Sequence, residues 1–139
     1  MYENGGEINI RGKSYPLLFN VAALKEVCAR YGGLTELGSK LKEDFGRAIG
    51  EYTWVIALLA QQGIALRNYE DGTKENALTQ DEIELLMMPA EIFASHNIIM
   101  QVINAGMDNG TTNTDEEGEE VDEVLEEVLA SKNGEGAEE

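Results

Sequence analysis

Residues 8–37 read INIRGKSYPLLFNVAALKEVCARYGGLTEL, and this stretch decides the fold class. Glu7 to Arg11 alternates, with Ile8 and Ile10 on one face, which is the period of a half-buried strand. Gly12-Lys13, with the glycine first, predicts a two-residue type II′ turn, because glycine takes φ > 0 without a Cβ clash. Ser14 to Phe19 is the return strand, with Tyr15, Leu17 and Phe19 on one face, and Pro16, lacking an N–H, puts it at a sheet edge. Asn20 can cap a helix from Val21 to Tyr31, whose Val21, Leu24, Val27, Cys28 and Tyr31 recur at helical spacing and are expected to face the core. Gly32-Gly33 ends that helix. An isolated hairpin is marginal in water, so its apolar face must lie on helices.

Working outward, residues 1–6 read as a frayed leader. After the first helix, Thr35 can cap a short second one reaching about Leu41, weakened by Gly38. From about Asp44 to Gln62, Phe45, Ile49, Tyr52, Ile56 and Leu59 make one apolar stripe, widened by Ala48, Trp54, Val55, Leu58 and Ala60. So wide a stripe predicts a central helix buried on more than one side, with Gly63 as its stop. Ile64 to Leu78 is polar, contains the turn signal Asp71-Gly72, and is expected to be a mobile loop. Thr79-Gln-Asp-Glu82 is a capping box opening a helix from Gln80 to Met88, with Ile83, Leu86 and Met87 facing in. Pro89 then starts a last body helix that ends near Gly106, with Ile92, Phe93, His96, Ile99, Met100 and Ile103 on its inner side. The expected fold is mainly α (α+β): an N-terminal β-hairpin packed on a small helical bundle over residues 1–106.

Residues 107–139 read as a flexible acidic tail. Asp108 to Gly118 is rich in Gly, Thr, Asn and acids, the composition of a disordered linker. Within the following Glu119 to Ser131, Val121, Val124, Leu125, Val128 and Leu129 sit at i, i+3, i+4, i+7 and i+8. That is a narrow apolar stripe on an otherwise acidic short amphipathic helix, 119–131. Such a stripe on a free segment fits a partner-binding element that folds on contact; the alternative is docking on the chain's own body. Carboxylates at i, i+4 repel, so the free helix is marginal.

Charge divides the same way. The chain carries a formal net charge of −17. Residues 1–106 hold 14 acids and 9 bases, whereas residues 107–139 hold 13 acids and only Lys132. Nucleic-acid backbone is met by clustered Lys and Arg, and here the only loose cluster, Lys40, Lys42 and Arg47, is interrupted by Glu43 and Asp44. Nucleic acid and anionic membrane surfaces are therefore not expected partners. No uninterrupted apolar run approaches the ~20 residues of a membrane helix. The start Met1-Tyr-Glu-Asn-Gly-Gly-Glu7 has no basic, then apolar, signal pattern, and Cys28 is the single cysteine, so the expected location is cytoplasmic.

Groups for chemistry are sparse. His96 is the only histidine, and on so apolar a helix it reads as a structural residue, as does Cys28 on its own helix. One His and one Cys do not make a zinc site. Asn113-Thr-Asp-Glu-Glu-Gly118 has the oxygen spacing of a calcium loop, but its twelfth position is Val124 where a bidentate Glu is required. Neither a phosphate loop nor a dinucleotide fingerprint occurs. The expectation is a protein with no catalytic residues, no cofactor and no metal, whose candidate binding residues are Val121, Val124, Leu125, Val128 and Leu129.

The block from Ile8 to Val27, with the following Tyr31-Gly-Gly-Leu-Thr-Glu-Leu37, resembles the tail assembly chaperones of long-tailed phages and prophages of Gram-positive bacteria. In that family a short strand, a Gly-Lys turn and an aromatic return strand precede a helix ending in Tyr-Gly. A long apolar helix ending near Gly is matched by Tyr52 to Gly63, and a late Thr-x-x-Glu helix with a following Pro by Thr79 to Pro89. The resemblance spans about residues 7–106. It implies a non-enzymatic protein of the bacterial host cytoplasm that binds tail tube and tape measure proteins during tail morphogenesis. It also implies that a longer, frameshifted form is common, with homo-oligomerisation left open. Two other readings are an acidic nucleic-acid mimic that inhibits a DNA-binding enzyme, motivated by the −17 charge, and an enzyme with a cleft around His96.

Overall fold

A computed structural model describes residues 5–108. Strands β1 (Gly6–Ile10) and β2 (Lys13–Leu17) pair antiparallel, with Ile8 opposite Tyr15 and Ile10 opposite Lys13. Gly6 already belongs to β1, so the leader is shorter than expected. The turn residues are Arg11 and Gly12, not Gly12 and Lys13, and their φ of 54° and 86° make it type I′ instead of the expected type II′. Asn9 favours this register, since its Oδ1 accepts from the Gly12 N–H at 3.1 Å. Moving both turn positions back by one keeps the pairing parity, so Ile8, Ile10, Tyr15 and Leu17 still share the buried face. The chain leaves the ladder after Leu17, where Leu18 N–H donates to the Leu59 carbonyl at 3.1 Å.

Helix α1 (Val21–Tyr31) has the expected ends. Asn20 Oδ1 accepts from Ala23 N–H at 3.0 Å, and Gly32 closes it in the left-handed region at φ 97°. Its buried residues differ from expectation: Ala23 and Val27 enter the core, Leu24, Cys28 and Tyr31 are half-buried, and Val21 is 74% exposed. The Asn20 side chain also donates to Gln62 at 3.1 Å, which ties the N-terminus of α1 to a later helix. Helix α2 (Leu34–Leu41) starts two residues earlier than Thr35 capping requires; Gly33 is its N-cap, with no side-chain cap.

Helix α3 (Phe45–Asp71) is 27 residues long, about 40 Å at 1.5 Å per residue. It runs straight through Gly63, which is not its stop. A Cβ at Gly63 would stand 2.2 Å from the Pro16 carbonyl oxygen, so this glycine is where the hairpin lies against the helix. The real C-cap is Gly72, at φ 71°, with its N–H on the Asn68 carbonyl at 2.9 Å. Only a short connection then remains of the loop expected over Ile64 to Leu78, and it is tied down. Asn68 Oδ1 accepts from Glu75 N–H (3.0 Å) and Thr73 Oγ1 (2.7 Å), and Arg67 pairs with Glu75 at 3.1 Å.

Helix α4 (Gln80–Leu86) begins with the expected reciprocal cap: Glu82 N–H donates to Thr79 Oγ1 at 3.1 Å and Thr79 N–H to Glu82 Oε1 at 2.9 Å. It stops before Met87 and Met88, both extended, because the residue before Pro89 is barred from helical geometry. The single last helix expected from Pro89 is two, α5 (Pro89–Ala94) and α6 (His96–Asp108). At the break Ser95 Oγ donates to the Ile92 carbonyl at 2.6 Å. Ile92, Ile99 and Ile103 face inward as expected and His96 and Met100 are half-buried, but Phe93 is 61% exposed.

The architecture is a mostly helical domain with the two-stranded hairpin packed on helices. One cluster gathers Ile8, Tyr15, Leu17, Val27, Leu37, Tyr52, Ile56, Leu59, Ile83, Ile92, Ile99 and Ile103 around α3, which is buried on several sides as its stripe predicted. The acidic tail, including the expected helix 119–131 with Val121, Val124, Leu125, Val128 and Leu129, lies outside the described residues. Among the described residues no single helix is long and apolar enough to cross a membrane.

Candidate protein-binding surface

His96 is bonded through one ring nitrogen to Tyr52. Tyr52 Oη lies 3.0 Å from His96 Nδ1 and 3.2 Å from the Leu41 carbonyl oxygen. A hydroxyl has one proton, so all three groups are satisfied when His96 Nδ1–H donates to Tyr52 and Tyr52 O–H donates to Leu41. Burial raises the Tyr52 pKa, which keeps that proton in place. The His96 ring also meets the Tyr52 ring edge-on at 6.1 Å. The pair therefore ties the start of α6 to α3 and to the end of α2. Cys28 sits half-buried on α1. Among the described residues no three His, Cys, Asp or Glu side chains come together as a metal site.

A second cluster joins α1 to α3 near the surface. The Arg30 guanidinium lies 4.7 Å from the Trp54 ring centre and 5.3 Å from that of Tyr31, and it reaches Glu51 at 3.3 Å. Tyr31 donates to Glu51 at 2.5 Å and packs edge-on against Trp54 at 5.6 Å. Burial, then the bond to Glu51, pushes the Tyr31 pKa up to about 12. Arg, Tyr and Trp are the residue types that dominate protein interfaces, and here they are held in fixed orientations. A polar groove of about 330 Å³ adjoins Trp54, lined also by Glu26, Leu58, Gln61 and Gln80.

Exposed apolar side chains concentrate at the α4–α5 junction, where α4 and the α5–α6 segment diverge by 115°. Leu85 is 76% exposed, Met88 51% and Phe93 61%. Single exposed apolar residues are ordinary, and these three lie close together along the chain, which makes the junction a candidate contact surface. Phe93 is oriented by Phe45, whose ring it meets edge-on at 5.1 Å. The chain offered a signal for two of these. Leu85 and Met88 fall off the inward set Ile83, Leu86 and Met87, so a capped helix must point them elsewhere. Phe93 gave none, because its spacing to His96 and Met100 matched the inward side of the expected helix. The tail residues Val121, Val124, Leu125, Val128 and Leu129 lie beyond this described surface.

Comparison with protein-family models, curated proteins and solved structures found no match for this chain.

Proposed function

We infer that this chain is a non-enzymatic binding protein, specifically a tail assembly chaperone of a phage or prophage that engages tail tube and tape measure proteins. The observation that carries the reading is the exposed Leu85, Met88 and Phe93 at the α4–α5 junction. The resemblance of residues 7–106 to that family supports it. So does the strongly acidic sequence beyond the body, because like net charge keeps a complex with apolar partners in solution. The tail stripe from Val121 to Leu129 is a second binding element in this reading. Co-expression with the tail tube or tape measure protein encoded beside it is the test. Raised partner solubility and co-purification are expected; neither effect with either partner would sink the assignment.

A further inference from the structure

A groove of about 290 Å³ opens where the N-terminal turn of α1 meets the end of α6. Its apolar lining is Leu18, Phe19, Val21, Leu24 and Met107. Val21 is 74% exposed there, although it is a β-branched apolar residue in the first turn of a capped helix. Gly106 sets the geometry: a Cβ on it would stand 2.2 Å from the Phe19 carbonyl oxygen, so its absence lets α6 press against the β2–α1 connection. The described chain therefore ends at the groove itself, since Met107 is a wall and Asp108 the last described residue.

We propose that the groove is the docking site of this chain's own segment Val121–Leu129. Connectivity argues for this occupant first. Residues 109–120 lie between Asp108 and the stripe, and twelve residues span up to roughly 40 Å, enough for a segment continuing from the groove's rim to return to it. Shape argues second. The groove has about twice the volume of a ~150 Å³ apolar cavity that takes a benzene ring, room for several of the branched side chains Val121, Val124, Leu125, Val128 and Leu129. Charge argues third. The stripe is flanked by Glu119, Glu120, Asp122, Glu123, Glu126 and Glu127. The groove's rim includes the first turn of α1, which holds no acidic residue to offset the helix dipole, and Lys25 lies exposed one turn beyond Val21. Docking would place carboxylates beside both. It covers Val21 and supplies the apolar face that the marginal acidic helix needs to form. The inference stands independently of the proposed function, and it means that any partner taking the stripe must displace it from the chain's own body.

Amide hydrogen exchange on the full chain tests it at two protein concentrations. Peptides covering 119–131 are expected to exchange at least about tenfold slower than an unfolded segment, equally at both concentrations. Val21→Glu should return them to the unfolded rate while peptides from α3 keep their protection, showing that the body remains folded. Leu125→Glu, a change confined to the tail, should speed exchange in Leu18 to Leu24. Unfolded-rate exchange of 119–131 in the unmodified chain would overturn the proposal. So would protection that survives Val21→Glu, or protection that grows with concentration alongside a doubled mass, which would put the stripe on a second copy.

Discussion

At the scale of single residues, two glycines of α3 separate packing from propensity. Gly50 has open space where its Cβ would go, whereas at Gly63 that position is 2.2 Å from the Pro16 carbonyl oxygen. Gly50→Ala should therefore stabilise the fold by about 0.5–1 kcal/mol, by removing unfolded-state freedom from a helical position. Gly63→Ala must push the hairpin off α3 and should destabilise by about 1–3 kcal/mol. Urea denaturation of both variants checks the pair, and equal effects would mean that the hairpin does not approach α3 as described. Tyr31 gives a pH prediction. Its ordinary value is 10.0 and its folded value about 12, so between these the unfolded chain gives up the proton that the folded chain keeps. The contribution is complete below pH 10 and is lost as pH rises towards about 12. The stability advantage of the parent over Tyr31→Phe should shrink across that window, as read by denaturant midpoints at successive pH values.

At the scale of elements, the caps carry the clearest consequences. The reciprocal Thr79–Glu82 bonds start α4, and α4 is fastened to α3 by Thr53, a buried hydroxyl that bonds Glu84 at 2.7 Å and Gln80 at 3.0 Å. Thr79→Ala should cost about 1 kcal/mol, the usual worth of an N-cap, without changing the fold. A comparable loss is expected for Asn20→Ala, which removes both the cap on Ala23 and the link to Gln62, with about 0.5–2 kcal/mol as the range for the cap alone. Thermal unfolding followed by circular dichroism measures each. The Asn68 network explains why the α3–α4 connection behaves as part of the helix pair: its side chain occupies both the N–H and the C=O of Glu75.

At the scale of the whole molecule, the core and the proposed binding surface are separable. Ile83 and Ile92 are buried, while Leu85, Met88 and Phe93 around them are not. Met88 is the N-cap of α5, where Asp is favoured, and Leu85 is exposed in the last turn of α4, so Leu85→Asp with Met88→Asp should change stability by no more than about 1 kcal/mol. The same double variant should lose co-purification with the tail tube or tape measure protein. Retained capture by this variant would move the binding surface elsewhere, with the Arg30–Tyr31–Trp54 cluster as the next place to mutate.

The features that the amino-acid sequence determined by itself are those closed within a few residues. Asn20 capping α1, Gly32 ending it, the Thr79–Glu82 box and the Ile8–Ile10 alternation all depend on neighbours within one turn or one strand period, so their reading needs no tertiary partner. The wide stripe on α3 likewise announced a central helix, because apolar residues all round a helix leave no face for water. Tertiary structure decided what depends on distant segments. Gly63 reads as a helix stop until Pro16 is laid beside it, and the true stop at Gly72 was legible only as a turn signal in a supposed loop. The spacing of Val21 and Phe93 matched the inward residues, yet whether an apolar side chain is covered depends on what another element places over it. Phe93 stands exposed just before the break at Ser95, and Val21 stands exposed at the rim of the groove. The candidate surface is for that reason mostly a tertiary product: local hydrogen bonds fix where helices begin and end, but only long-range packing determines which apolar residues are left uncovered.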